Sequence, residues 1–141
     1  MVLFDIREDE SHRWWVDHIN RELAAAEVGR AYLGWFDLVC SSRWWECFDR
    51  GEIPVQVLAG VVTHVGPRPD PVVPDEIIDV VEFRCGEEVV VYDRLGIWAA
   101  PFGVGDQIKL SKTRLELPHW TGPTIFHVEL RAEWVPAAAL G

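Results

Sequence analysis

Apolar residues recur at helical spacing at Trp15, Ile19, Leu23 and Ala26, which predicts an amphipathic helix over 12–33 with that stripe turned inward. The acids Glu8, Asp9 and Glu10 and the cap-forming Ser11 precede it, and Ala24-Ala25-Ala26 adds local propensity. Residues 2–6 form a short apolar run that reads as a strand. Between 35 and 53 the periodicity is ambiguous: Trp35 to Cys40 fits a strand or a helix end, and Ser41 to Phe48 fits a short capped helix. Gly51 and Pro54 then close this half.

From residue 54 the period changes to two. Val55, Val57, Ala59, Val61, Thr63 and Val65 alternate with Gln56, Leu58, Gly60, Val62 and His64, predicting a long curved strand with Gly60 as a bulge. Four prolines between Gly66 and Pro74 predict an extended loop. Ile77 to Arg84 and Val89 to Tyr92 read as a hairpin through Cys85-Gly86-Glu87-Glu88. A turn over 93–96, a short strand over 97–99, and a turn at Gly103-Val104-Gly105-Asp106 needing positive φ at Gly105 lead into a strand from Ile108 to Leu117. In the last strand Thr124, Phe126, Val128, Leu130, Ala132 and Trp134 make the buried face, with His127, Glu129, Arg131 and Glu133 on the wet one.

Strands this closely spaced, without crossover helices, cannot build a parallel sheet. The expected fold is therefore α+β: an N-terminal helix packed on a curved five- to six-stranded antiparallel sheet, closed into a small β-barrel or half-barrel, with an open sheet as the alternative. One domain is expected over 1–141, with 1–53 a mainly helical cap and 54–136 the β-rich body. Ser11-His12-Arg13-Trp14-Trp15 echoes Ser41-Ser42-Arg43-Trp44-Trp45, but the match does not extend on either side and marks no repeat.

Charge narrows the partners. Thirteen Lys and Arg against 23 Asp and Glu leave −10, which repels a nucleic-acid backbone, so no direct nucleic-acid binding is expected. Between Asp70 and Asp93 stand Asp70, Asp75, Glu76, Asp79, Glu82, Glu87, Glu88 and Asp93, against the lone cation Arg84. That stretch is either a solvated face or a docking surface for a basic protein partner. Three cysteines, Cys40, Cys47 and Cys85, cannot all pair and are too sparse for a disulfide scaffold. With an acidic N-terminus lacking an export pattern and no apolar run of membrane length, they point to a cytoplasmic protein with no membrane association.

The chemistry is sparse. His12, His18, His64, His119 and His127 are scattered, and there is no close Cys or His spacing for a metal, no nucleophile elbow and no phosphate loop, so no metal or cofactor is expected. Asp79 shares a strand face with Ile77, Val81 and Phe83, which would bury a carboxylate and raise its pKa if that face is the core. With His64 it makes the catalytic candidate pair, for a small-molecule site or a lyase- or isomerase-type enzyme in the mouth of the barrel. Glu82 is expected to pair with Arg84 on the other face, and the polar row of the last strand to form a cross-strand ladder with Lys109, Lys112 or Arg114.

Eight tryptophans are many for 141 residues, and adjacent helical residues diverge by about 100°, so Trp14-Trp15 and Trp44-Trp45 cannot both face one core. A tryptophan exposed beside Arg43 or Arg13 makes an interface anchor. The leading reading is an acidic interaction module of inhibitor or immunity type, not an enzyme. It would bind its basic partner through Asp75, Glu76, Glu87, Glu88, Arg43, Trp44 and Trp45. Self-association into a homo-oligomer through an exposed tryptophan patch is a third reading.

Overall fold

The computed structural model describes residues 1–93, 100–117, 122 and 124–139. The chain is α+β. Strand β1 (Val2–Asp5) and a 3-10 turn (Glu10–His12) lead into helices α1 (Arg13–Ala25), α2 (Glu27–Phe36) and α3 (Ser42–Asp49). Strands β2 (Gln56–Pro69), β3 (Ile77–Cys85), β4 (Glu88–Asp93), β5 (Gln107–Leu117) and β6 (Thr124–Val135) follow. The six strands make one antiparallel sheet in the order β1-β6-β5-β2-β3-β4. Its ladder ends at β1 and β4, which do not pair among the described residues, so the sheet is open and the expected barrel closure is corrected. The predicted turn over 93–96 and strand over 97–99 fall on residues 94–99, outside the described residues. Among the described residues no helix is long and apolar enough to cross a membrane.

Contacts divide the chain into two compact units. One holds residues 1–4, 57–110 and 131–141, the other 5–56 and 111–130.

In the second unit the single helix expected over 12–33 is two helices. Ala26 is extended at φ −119°, ψ 144°, and its N–H closes α1 on the Leu23 carbonyl. Three successive alanines favour helix, but Gly29 decides otherwise: a Cβ there would overlap the Leu23 backbone, so α2 starts hard against the end of α1. Gly29→Ala tests this directly. Alanine is the better helix former by about 1 kcal/mol, yet overpacking against rigid backbone typically costs about 1–3 kcal/mol. A net loss of about 1 kcal/mol in urea unfolding is expected, and a gain would show that the close approach is not needed.

The buried stripe of α1 is Val16, Ile19 and Leu23. Trp15 is only half-buried, and its Nε1–H donates to the His127 carbonyl at 2.9 Å. The ambiguous stretch resolves as the end of α2, a short loop, and α3 capped by Ser41, whose Oγ accepts the Trp44 N–H. The unit's core joins these helices to Leu115 and Leu117 of β5 and Phe126, Val128 and Leu130 of β6. At its centre Trp44 is fully buried. Its Nε1–H donates to Tyr32 Oη at 3.0 Å, and its ring stacks on Phe48 and meets Trp45 edge-on.

In the first unit β2 pairs with β3, and the register shifts between Val62 and His64, so the extra residue is Thr63 and the bulge expected at Gly60 is displaced. Gly60 serves a different end: a Cβ there would strike the Arg84 carbonyl and the Cys85 sulfur, so it permits close strand approach. The alternation in β2 takes one phase. Leu58 and Val62 are buried, while Val57 and Val61 are about half exposed. Pairing with β3 runs on to Pro69, through Pro67, where an extended loop was expected. Two prolines spaced by two place their missing N–H groups on the same side of the strand, which leaves the other side free to pair.

Gly105 takes φ +94°, as its turn demanded. Asp106, buried, ties this turn down: its Oδ2 accepts from the Gly103 N–H (2.7 Å) and Trp134 Nε1–H (2.9 Å), and its Oδ1 from the Ala137 N–H (2.7 Å).

Candidate functional site

The acidic stretch is distributed by the hairpin that carries it. Asp75 and Glu76 lie just before β3, and Glu87 and Glu88 lie at the β3–β4 turn. All four are exposed and make no ion pair among the described residues. The nine residues of β3 stand between the two pairs, and at about 3.3 Å per residue the pairs are separated by roughly 30 Å. The four expected docking carboxylates therefore do not form one patch.

Glu82 is committed to its own hairpin. It accepts from Thr63 Oγ1 at 2.9 Å and from the Arg68 guanidinium, and these two bonds hold its pKa below the ordinary carboxylate value. The expected Glu82–Arg84 pair is corrected. The bulge sets Glu82 against the polar end of β2, while Arg84 stands between Val61 and Val89 in the register.

His64 and Asp79 are both half-buried but do not converge. His64 is opposite Glu82 with its Nε2 3.3 Å from the Gly66 carbonyl, whereas Asp79 is opposite Pro67, three residues further along β3, or roughly 10 Å.

The Arg43-Trp44-Trp45 trio divides. Arg43 is exposed and Trp45 half-buried, but Trp44 belongs wholly to the core. The expectation that Trp44 anchors a partner is corrected, because a fully buried ring offers no surface. The tryptophans that do face solvent are Trp14 and Trp35, 68% and 73% exposed; Trp98 and Trp120 lie outside the described residues.

The polar row of β6 pairs along strands: Arg131 with Glu133 at 3.4 Å, and on β5 Arg114 with Glu116 at 3.5 Å. Glu129 and Lys112 are buried, which the alternating pattern did not foretell. His127 titrates below the ordinary imidazole value because of burial and the nearby cations Lys112 and Arg114, so it is neutral at pH 7.

A cleft of about 370 Å³ opens in the second unit between the segment Ile6–Glu10, the first half of α1, the loop after α2, and α3. Among its wall residues are Arg7, Arg13, Asp17, Asn20, Cys40 and Trp45. Arg7 pairs with Asp49 and lies 4.1 Å over the Trp45 ring, and Arg13 pairs with Glu10. The loop wall is rigidly specified. Asn20 Oδ1 accepts the Val39 N–H at 2.8 Å and its Nδ2–H donates to the Val39 carbonyl at 3.3 Å. On either side Asp37 and Cys40 adopt φ of 66° and 69°, positive values that cost about 1–3 kcal/mol for a non-glycine residue. Burial pushes the Cys40 thiol up to about 11, so it is protonated at neutral pH.

Sequence reasoning missed Asn20, Asp37 and Cys40, since no local signal marks an amide that clamps a loop 19 residues away or a cysteine with positive φ. Among the described residues no group of three His, Cys, Asp or Glu side chains is placed to hold a metal. The residues thus define an α+β chain with an open antiparallel sheet, unpaired acids at both ends of one hairpin strand, and a polar cleft beside the helices. No family model matches the chain, and no curated protein matches it.

Proposed function

We propose that this protein is a non-catalytic interaction module of inhibitor or immunity type that captures a basic protein partner in the cytoplasm. The observation that carries the reading is the set of exposed carboxylates Asp75, Glu76, Glu87 and Glu88, without ion pairs among the described residues, on a chain of net charge −10. Carboxylates already in ion pairs have their attraction spent locally, whereas unpaired ones are available to steer and hold a cationic surface. The three cysteines form no disulfide, in keeping with a reducing compartment. The enzyme alternative on Asp79 and His64 is less well supported, because the two stand roughly 10 Å apart along β3.

Because the acids lie at two ends of β3, each end can be tested alone. Full-length protein is immobilised, and capture from native extract is compared for wild type, Asp75→Asn/Glu76→Gln and Glu87→Gln/Glu88→Gln. One double variant is expected to lose about tenfold in capture of the same basic protein, and wild-type capture should vanish in high salt. Capture indifferent to both pairs of substitutions would sink the proposal.

A further inference from the structure

We propose that the outer edge of β4 is where the partner docks, adding to the sheet an extended segment that is apolar in its middle and basic at both ends. The inference rests on the basic-partner reading above and narrows it to one mode of binding at the Glu87–Glu88 end of the hairpin.

Strand β4 ends the sheet order, and among the described residues no strand lies beyond it. In an antiparallel pair each strand turns only alternate residues' N–H and C=O groups toward its neighbour. Pairing of Glu88–Asp93 with Val80–Cys85 therefore leaves the other backbone groups of β4 facing outward, and such a row of donors and acceptors is a template for a further strand. The edge is already formed. Tyr92 stacks on the fully buried Phe83, with ring centroids 5.9 Å apart and planes 6° from parallel, so β4 need not be ordered on association. It also lacks the devices that blunt an edge, having no proline, no lysine and no bulge in its register with β3. Its solvent face carries Val89 and Val91, 46% and 39% exposed.

Charge selects the occupant. The charged residues of β4 are Glu88 at its start and Asp93 at its end, with Glu87 just before it. A second copy pairing edge to edge in full register would set Glu88 against Asp93 if antiparallel and each acid against its own counterpart if parallel, and like charges directly opposite are destabilising. A strand with Lys or Arg at both ends meets an acid at each end in either direction, while a β-branched centre packs beside Val89 and Val91.

The test titrates the full chain with an acetylated, amidated peptide in which alternating valines and threonines are flanked by two lysines at each end, following exchange of the β4 backbone amides by NMR. In the free chain alternate amides of Glu88–Asp93 are expected to exchange about tenfold faster than those bonded to β3. Saturating peptide should slow them about tenfold, with half-saturation below about 1 mM. The same peptide N-methylated throughout its central residues keeps its charge but loses its donors, and should bind about tenfold more weakly. Glu88 is exposed, so Glu88→Lys should stay folded; it should bind the lysine-ended peptide about tenfold more weakly and prefer one ended by glutamates. Alternate β4 amides already slow in the free chain, or equal binding of the N-methylated peptide, would overturn edge addition and leave the basic-partner reading standing. Binding indifferent both to Glu88→Lys and to the charge of the peptide would overturn the two together.

Discussion

Trp44→Ala should lower the unfolding free energy by about 4 kcal/mol, the range found when a large buried aromatic side chain is removed. The indole is fully buried where α3 meets the helical core, stacked on Phe48 and edge-on to Trp45, and the substitution also deprives the Tyr32 hydroxyl of its donor. Domains are stable by only about 5–15 kcal/mol, so such a variant should approach the threshold of folding. Trp44→Phe, which retains most of the volume but loses the hydrogen bond, should cost about 1–2 kcal/mol and stay folded. Trp14→Ala, at a residue 68% exposed, should change stability by less than about 0.5 kcal/mol. Urea unfolding of the three variants measures the ranking. If Trp44→Ala costs no more than Trp14→Ala, α3 is not anchored to the helical core through this indole.

Asp106→Ala should cost about 3 kcal/mol and lower Tm by roughly 10 °C. The loss comes from leaving three donors, on Gly103, Trp134 and Ala137, without their acceptor in a buried turn. Asp106→Asn should do little better, because a carboxamide turns its own N–H toward donors that need oxygen. Burial alone would raise the pKa of Asp106, but the bonds from Ala137, Gly103 and Trp134 together outweigh it, and the group titrates below its ordinary 3.8. A lowered folded pKa means that the unfolded chain binds the proton first. The contribution is therefore complete above the unfolded value and drains away as pH falls through the lower folded one. Below about pH 4 the wild type should lose part of its advantage over Asp106→Ala, and the two stability curves should converge in acid. Thermal unfolding across that range gives the answer, and a constant gap between the curves would show that the carboxylate's charge is immaterial.

The unit built around Asp106 was partly legible in the sequence and partly not. Gly105 announced its positive φ because a turn between two strands had to be made there, but nothing local tells that the next carboxylate reaches Trp134 and Ala137. The candidate site was less legible still. The acidic residues were visible, yet their division between two ends of β3 depends on where the strand starts and stops. The cleft was invisible, since its walls come from segments spread over residues 6–45 and are joined by Asn20 across 19 positions.

Local chemistry, read from the sequence by itself, determined the antiparallel arrangement, the α+β class, the Gly105 turn and the buried face of β6 from Phe126 to Trp134. Each rests on a period or a turn residue acting over a few positions. Tertiary structure alone decided the break at Ala26, the displaced bulge at Thr63, the burial of Trp44 and the phase of β2. In β2 both faces are apolar, Val57 and Val61 against Leu58 and Val62, so alternation is degenerate and only packing against Phe83, Ile108 and Leu110 on neighbouring strands can choose between them.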